Sequence, residues 1–87
     1  MRVEYHRQFL KNFRKRVLPY PKLRVKFEER LKMRLNQPES FLLKDHQLLG
    51  KKAGYRAFSL SGEMRVVYKI EGDVFRLYDV GSHNQVY

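Results

Sequence analysis

The chain contains no cysteine, so it can form neither a disulfide nor a thiolate metal site. Its three histidines, His6, His46 and His83, lack the spacing of a metal site, and we expect no metal and no cofactor. No apolar run approaches the roughly 18 residues of a membrane-spanning helix, and the first residues form no apolar signal segment. These absences predict a cytoplasmic protein that does not enter a membrane.

Acidic residues are also scarce, because nine Asp and Glu accompany nineteen Lys and Arg and leave a net charge of +10. Such an excess destabilises the compact state by self-repulsion and usually indicates a polyanionic partner, with nucleic acid as the first candidate. The cations of residues 14–34 form either a solvated face or a footprint for nucleic-acid backbone or an acidic protein. A length of 87 residues, 43% of them hydrophobic, predicts one globular domain over 1–87.

Apolar periodicity divides the chain into a helical half and a half of strands. Apolar residues three or four apart predict two helices, at about 6–17 and 22–36, with prolines between them. Alternation predicts strands at 1–5, 55–60, 64–70 and 74–80, and glycine-centred links of hairpin length join the last three. The expected fold is α+β, with two N-terminal helices packed on one face of a four-stranded, mainly antiparallel sheet whose other face is open.

The residues suited to phosphodiester cleavage lie in the second half. Metal-independent cleavage of RNA needs a base for the 2′-hydroxyl, an acid for the departing 5′-oxygen and cations for the phosphorane. Histidine is the side chain suited to proton transfer near neutral pH, which His46 and His83 supply, and Glu63 supplies a carboxylate. Taken singly, each of the three is more often a solvated surface residue than a functional one. Arg56 and Arg65 lie within predicted strands, where a guanidinium either grips phosphate or guards a sheet edge against aggregation.

The outward face of the sheet is a suitable RNA-binding surface if it carries cations. On the predicted register, Val66, Tyr68 and Ile70 face the helices, and the alternate positions of that strand, including Val67, face outward. The cations expected to bind RNA are Arg56, Lys51, Lys52 and Lys69. The ring of Tyr87 either stacks on a base or caps the final strand. His6 lies at the expected start of the first helix, and we interpret it as a helix-end residue.

Four segments together resemble the RelE/ParE toxin superfamily, and its YafQ-like branch most of all. They are Asp45-His46-x-Leu48-x-Gly50, Gly54-Tyr55-Arg56, the strand from Met64 to Ile70, and the ending Gly81-Ser82-His83-Asn84-x-Val86-Tyr87. The resemblance spans essentially the whole chain and implies the toxin half of a type II toxin–antitoxin system. Such a toxin is a metal-independent endoribonuclease that enters the ribosomal A site and cuts messenger RNA, leaving a 2′,3′-cyclic phosphate. The implied partners are mRNA on the ribosome and a cognate acidic antitoxin, without which the toxin is a monomer.

The resemblance also implies a catalytic set, namely His46, Glu63, Arg65, His83 and Tyr87. The two histidines match catalytic histidines of YafQ-like toxins, and Tyr87 falls where the family keeps a functional aromatic. Glu63 falls where the branch has an aspartate, and Arg65 matches a phosphate-binding arginine of RelE proper.

The chain departs from the branch at two positions. Ser59 stands where YafQ-like toxins have a third histidine, and Met64 stands where they have a tryptophan. Two other readings of the chain remain. A ParE-like toxin that poisons DNA gyrase needs no catalytic histidines, and a non-catalytic nucleic-acid-binding module accounts for the charge but not for the two histidines and the carboxylate.

Overall fold

One mixed sheet of five strands organises the chain, and the computed structural model describes all of residues 1–87. The strands are β1 Arg2–Tyr5, β2 His46–Gln47, β3 Arg56–Ser61, β4 Met64–Glu71 and β5 Val74–Ser82. The helices are α1 Arg7–Arg16, α2 Pro21–Asn36 and α3 His83–Val86, with short 3₁₀ turns at Phe41–Leu43 and Gly50–Lys52. In space the strands follow the order β1-β5-β4-β3-β2, with β1 parallel to β5 and every other pair antiparallel.

The α+β class, the two N-terminal helices and the four predicted strands are confirmed, with boundaries that shift by one or two residues. The four-stranded count is wrong, because β2 pairs with β3 through His46 and Gln47 and adds a fifth strand. A third helix, α3, was also not predicted. Both additions are too short for hydrophobic periodicity to reveal, since a period needs several turns or alternations to be recognised.

The larger core lies between the sheet and the helices α1 and α2. Phe9, Phe27, Val66 and Tyr68 belong to this cluster, so the predicted inward orientation of the two β4 residues is confirmed. Pro21 begins α2 at its first position, where the missing N–H costs no hydrogen bond. None of the helices combines the length and the apolar composition needed to cross a membrane.

The opposite face of the sheet is partly covered, which corrects the expectation of an open face. Val86 of α3 packs with Leu48, Ala57 and Val67 in a second cluster, and Val67 is only 2% exposed. The chain therefore folds its C-terminal turn back over the centre of the sheet and buries apolar side chains that simple alternation assigns to solvent.

The N-terminal helix protects the part of β5 that β1 does not reach. β1 pairs only with Val74–Leu77, so the next residues of β5 lack a strand on that side. Asn12 Nδ2 donates to Asp79 Oδ1 at 2.6 Å, and Arg16 Nη1 donates to the carbonyl of Val80 at 3.0 Å. These side chains satisfy polar groups that would otherwise be left unpaired near the core.

Gly81 allows side chains of α1 and α3 to approach β5 closely. A Cβ at this position would lie 2.6 Å from Arg16 Nη1 and 2.7 Å from Gln85 Oε1. Both atoms are committed, because Arg16 binds Val80 and Gln85 Oε1 accepts from the N–H of Ser82 at 2.7 Å. A methyl group at this position would therefore require both side chains to shift and would disturb their hydrogen bonds.

We expect Gly81→Ala to lower the free energy of unfolding by about 1–3 kcal/mol, because each of two displaced hydrogen bonds contributes about 0.5–1.5 kcal/mol. Urea unfolding measures the loss. In an Arg16→Ala background one of the two clashes is already gone, so the same glycine substitution should cost less. Equal costs in the two backgrounds would show that the close approach to Arg16 is not the cause.

Candidate active site

Both ring nitrogens of His46 make polar contacts, one with the backbone and one with Tyr87. Its Nδ1 lies 2.9 Å from the carbonyl oxygen of Lys44. Because a carbonyl only accepts, Nδ1 carries the proton in this contact and Nε2 of the neutral ring is an acceptor. Nε2 lies 3.1 Å from the hydroxyl of Tyr87, which can donate to it. With the proton at Nδ1, Nε2 of His46 is free to act as a general base.

His83 is positioned by the start of α3. Ser82 and Gln85 form a capping box at this end of the helix, and the N–H of His83 donates to the carbonyl of Glu63 at 3.0 Å. The last bond ties α3 to the β3–β4 turn. As a result the ring of His83 lies 4.4 Å from that of Tyr87, centroid to centroid, and the ring of His46 lies 5.8 Å from Tyr87.

Tyr87 is the shared neighbour of both imidazoles, and Arg65 lies beside it. Burial raises the pKa of the Tyr87 hydroxyl, while the nearby Arg65 guanidinium opposes that rise. The net direction is upward, so the phenol stays protonated at neutral pH and is able to donate a hydrogen bond. Arg65 itself is anchored, because its Nη1 donates to the carbonyls of Gly62 and Met64 at 2.6 and 3.0 Å.

The structure therefore brings together the side chains of His46, Arg65, His83 and Tyr87. Glu63, the fifth residue predicted from the resemblance, lies in the exposed turn before β4 and reaches this group through its backbone carbonyl. A cleft of about 260 Å³ opens next to Tyr87 and His46, and Lys52 and Leu49 line its far part. No three carboxylate or imidazole side chains are close enough together to hold a metal ion.

Ser59 and Met64, the two positions at which the resemblance implies a departure from YafQ-like toxins, lie on different faces of the sheet. Ser59 is 8% exposed and pairs with Arg65 across β3 and β4, so it lies on the side of the candidate site. Met64 packs against the larger core on the helix side. Its side chain therefore contributes to packing, and only Ser59 adjoins the candidate site.

Of the four cations expected to bind RNA, three lie on the side of the candidate site. Lys51 and Lys52 lie in the 3₁₀ turn at Gly50–Lys52, and Lys69 Nζ lies 5.3 Å above the ring of Tyr55. Lys69 also lies 4.0 Å from a carboxylate oxygen of Glu71.

Arg56 is the exception and corrects the expectation that it borders the RNA surface. Its Nε donates to Asp45 Oδ1 at 2.8 Å and lies 3.3 Å from the Tyr68 hydroxyl, which belongs to the core on the helix side. The reason is strand alternation, because Ala57 faces the candidate site and its neighbour Arg56 must face the other way. Arg56 is therefore a structural cation that binds Asp45.

Asp45 anchors the loop that carries His46, a role that sequence reasoning did not assign to it. Its carboxylate accepts hydrogen bonds from Arg34 Nε at 2.6 Å, from Arg56 and from the Tyr68 hydroxyl. Burial raises the pKa of Tyr68, and the hydrogen bond to Asp45 raises it further. Because His46 follows Asp45 directly, this cluster fixes the backbone that presents the imidazole. The sequence does contain one signal for this role, namely that Asp45 directly precedes His46. The predicted catalytic set gives the carboxylate of Asp45 no function.

We expect Asp45→Ala to lower the free energy of unfolding by about 3 kcal/mol, because removing one partner leaves buried charges uncompensated. The side chains of Asp45 and Arg34 are only 9% and 14% exposed, so solvent replaces little of the lost interaction. Urea unfolding measures the effect, with Asp73→Ala as the matched control in an exposed turn. Similar losses in both variants would contradict a special role for Asp45.

The family model described as the bacterial toxin YafQ of type II toxin–antitoxin systems matches residues 1–87. No curated protein sequence matches the chain significantly.

Solved structures show the same fold. Crystal structures of Escherichia coli YafQ, from strain BL21(DE3) and in complex with DinJ, superpose with TM-scores of 0.85 and 0.82, at 23% identity in each case. A copper-bound toxin variant from Helicobacter pylori superposes with a TM-score of 0.82 at 26% identity. Each of these alignments covers 100% of this chain and 99% of the other. The chain belongs to the YafQ family of bacterial toxins of type II toxin–antitoxin systems.

Proposed function

We propose that this toxin is an endoribonuclease that cleaves messenger RNA in the ribosomal A site. The observation that carries the proposal is the contact of Tyr87 with both His46 and His83, next to Arg65. Two imidazoles, a phenol and a cation on one surface of a chain with net charge +10 supply the groups that phosphodiester cleavage requires. The proposed substrate is handled in the cytoplasm, where the ribosomes are.

The proposed reaction is attack of the ribose 2′-oxygen on the adjacent phosphorus. The base takes the proton of the 2′-hydroxyl, the new bond closes a 2′,3′-cyclic phosphate, and the bond from phosphorus to the 5′-oxygen breaks. The acid then delivers a proton to that oxygen, so charge and atoms balance. We assign the two proton transfers to His83 and His46, with His83 the more important of the pair.

The geometry supports a base role at His46 Nε2, because Nδ1 is committed to the carbonyl of Lys44. Arg65 is the proposed transition-state cation, since its guanidinium can stabilise charge on the equatorial oxygens of the phosphorane. Glu63 is proposed to orient or activate one of the proton carriers from its turn. Tyr87 must release His46 when substrate enters, after which its protonated hydroxyl can donate to phosphate or its ring can stack on a base.

We further propose that cleavage depends on the ribosome. Ser59 replaces a histidine of the branch beside Arg65, so the site lacks part of the usual proton-transfer set. Phosphate contacts position RNA without specifying sequence, and in-line geometry must then come from elsewhere. Alignment can supply roughly 7–11 kcal/mol of a barrier, and a codon held in the A site is a source of it. Free RNA should bind weakly, in a salt-sensitive way, and be cut negligibly.

The proposed protein partner is an acidic antitoxin. The E. coli relative YafQ has been crystallised with DinJ as a toxin–antitoxin complex. In this chain the exposed cations of α1 and α2, among them Lys11, Lys15 and Lys22, exceed what folding needs. An acidic segment laid across the helix pair toward the candidate site would neutralise them and block entry of RNA, and its affinity would fall as salt rises.

The experiment compares wild type with His83→Ala on translating ribosomes. We expect the variant to cut messenger about 10²–10⁴-fold more slowly, which is the usual contribution of a positioned proton carrier, while ribosome binding stays unchanged. Asn84→Ala is the matched control, because Asn84 is the exposed neighbour of His83 on the same helix. Its rate should equal that of wild type.

Two further substrates test the class of activity. Naked mRNA at the same concentrations should remain intact, and DNA gyrase should supercoil normally in the presence of the toxin. Wild-type cleavage by His83→Ala would refute the assignment of the histidine. Rapid cutting of naked RNA would indicate a free-standing ribonuclease, and inhibition of gyrase without RNA cleavage would indicate a ParE-like poison.

A further inference from the structure

A second pocket adjoins the candidate active site and is not part of the proposed catalytic set. Its volume is about 290 Å³, and its walls include the rings of His6, Tyr55 and Tyr78 together with Lys51 and Lys52. Lys52 also lines the cleft beside His46 and Tyr87, so the two depressions share a wall. A polymer bound in one is therefore able to continue into the other.

The aromatic walls are held in place by the fold. Tyr55 and Tyr78 contact each other at 4.7 Å between centroids with rings nearly perpendicular, and both pack against the buried cluster of Ala57 and Val67. Tyr78 lies at a β-bulge, because Val67 pairs with Asp79 while the next residue, Tyr68, pairs with Leu77. Bulges redirect side chains and are frequent next to active sites.

His6 completes the aromatic wall at 5.0 Å from Tyr78, and its orientation is fixed. Its Nδ1 accepts a hydrogen bond from the N–H of Gln8 at 3.1 Å, so the neutral ring carries its proton at Nε2. The expectation that His6 is a helix-end residue is confirmed by this cap. The same constraint leaves Nε2 as a fixed hydrogen-bond donor beside the pocket.

The carboxylate at the pocket, Asp79, does not oppose an anionic ligand. It is 4% exposed and accepts hydrogen bonds from Gln8, Asn12 and the N–H of Val80. Arg16 Nη1 lies 3.8 Å from it. Its charge is therefore compensated within the fold, and the cations that face solvent at this pocket are those of Lys51 and Lys52.

We propose that this pocket is a nucleotide subsite, in which a base of the same single-stranded RNA stacks on the tyrosine rings while Lys51 and Lys52 bind the flanking phosphates. Aromatic rings interleaved with cations are the usual means of holding an unpaired base and its backbone. The choice of RNA as the ligand and the role in positioning the cut rest on the proposed function. The subsite would hold the nucleotide next to the cleavage point and thereby set the register of the cut.

The test measures binding of a fluorescent, 2′-O-methylated single-stranded RNA hexamer by anisotropy at low salt. This probe has no free 2′-hydroxyl, so its binding is measured whether or not the toxin is a nuclease. We expect Tyr55→Leu to weaken binding about tenfold, because it keeps apolar volume but removes the stacking surface. Tyr55→Phe keeps the ring and should bind like wild type, as should Tyr20→Leu, a matched control at an exposed tyrosine before α2.

A second variant guards against loss of fold in Tyr55→Leu. The double substitution Lys51→Gln and Lys52→Gln lies in the surface turn, and it should weaken binding. It should also reduce the slope of log affinity against log salt concentration by about 1.4, which is about 0.7 for each lost phosphate contact. Wild-type affinity in both Tyr55→Leu and the double variant would overturn the subsite. Binding that follows these expectations in a toxin that cuts nothing on ribosomes would keep the subsite and refute the nuclease.

Discussion

The carboxylate of Asp45 is the interaction on which the candidate site depends. It binds Arg34 of α2, Arg56 of β3 and Tyr68 of β4, and so joins three elements to the loop that carries His46. The loop needs this anchor, because Lys44 adopts a left-handed conformation with φ of 49°, which costs a non-glycine residue on the order of 1 kcal/mol. That conformation in turn places the Lys44 carbonyl against His46 Nδ1.

The two faces of the sheet differ in composition: one carries the main hydrophobic core, and the other carries the candidate site. Large aromatic and aliphatic residues of α1 and α2 fill the helix side, whereas the other side has a small apolar cluster under α3 and a rim of polar groups. The small cluster has a second role, since Val86 fixes the helix whose ends carry His83 and Tyr87. Packing on this face thus positions the proposed catalytic groups directly.

Much of the fold could be predicted from the sequence, because its signals are local. Phe9, Phe13 and Val17 repeat at helical spacing, and Gly62 and Gly72 supply the positive φ angles that the two hairpin turns use. The two-residue β2 and four-residue α3 have no such signal, since tertiary contacts create them. Alternation along β3 predicts that Arg56 and Ala57 face opposite sides of the sheet. It does not predict which of the two residues faces the candidate site, because that depends on tertiary packing.

The site itself could be predicted only in part. His46 and Tyr87 are 41 residues apart in sequence, and only the topology of the sheet brings them within hydrogen-bond distance. The resemblance to YafQ-like toxins supplied the set of residues, whereas the bonds of Asp45 and the aromatic pocket around Tyr78 became visible with the three-dimensional arrangement. Polar clusters built from residues far apart in the sequence produce no periodic pattern, so periodicity cannot predict them.

In the proposed mechanism, His46 and His83 act as one unit across Tyr87. Single-turnover cleavage on programmed ribosomes measures this most directly, with wild type, the two single alanine variants and the double variant compared. Groups that act as a unit are strongly non-additive, so the double variant should be about as slow as the slower single variant. A double variant slowed by the product of the two single effects would show independent roles and contradict the account.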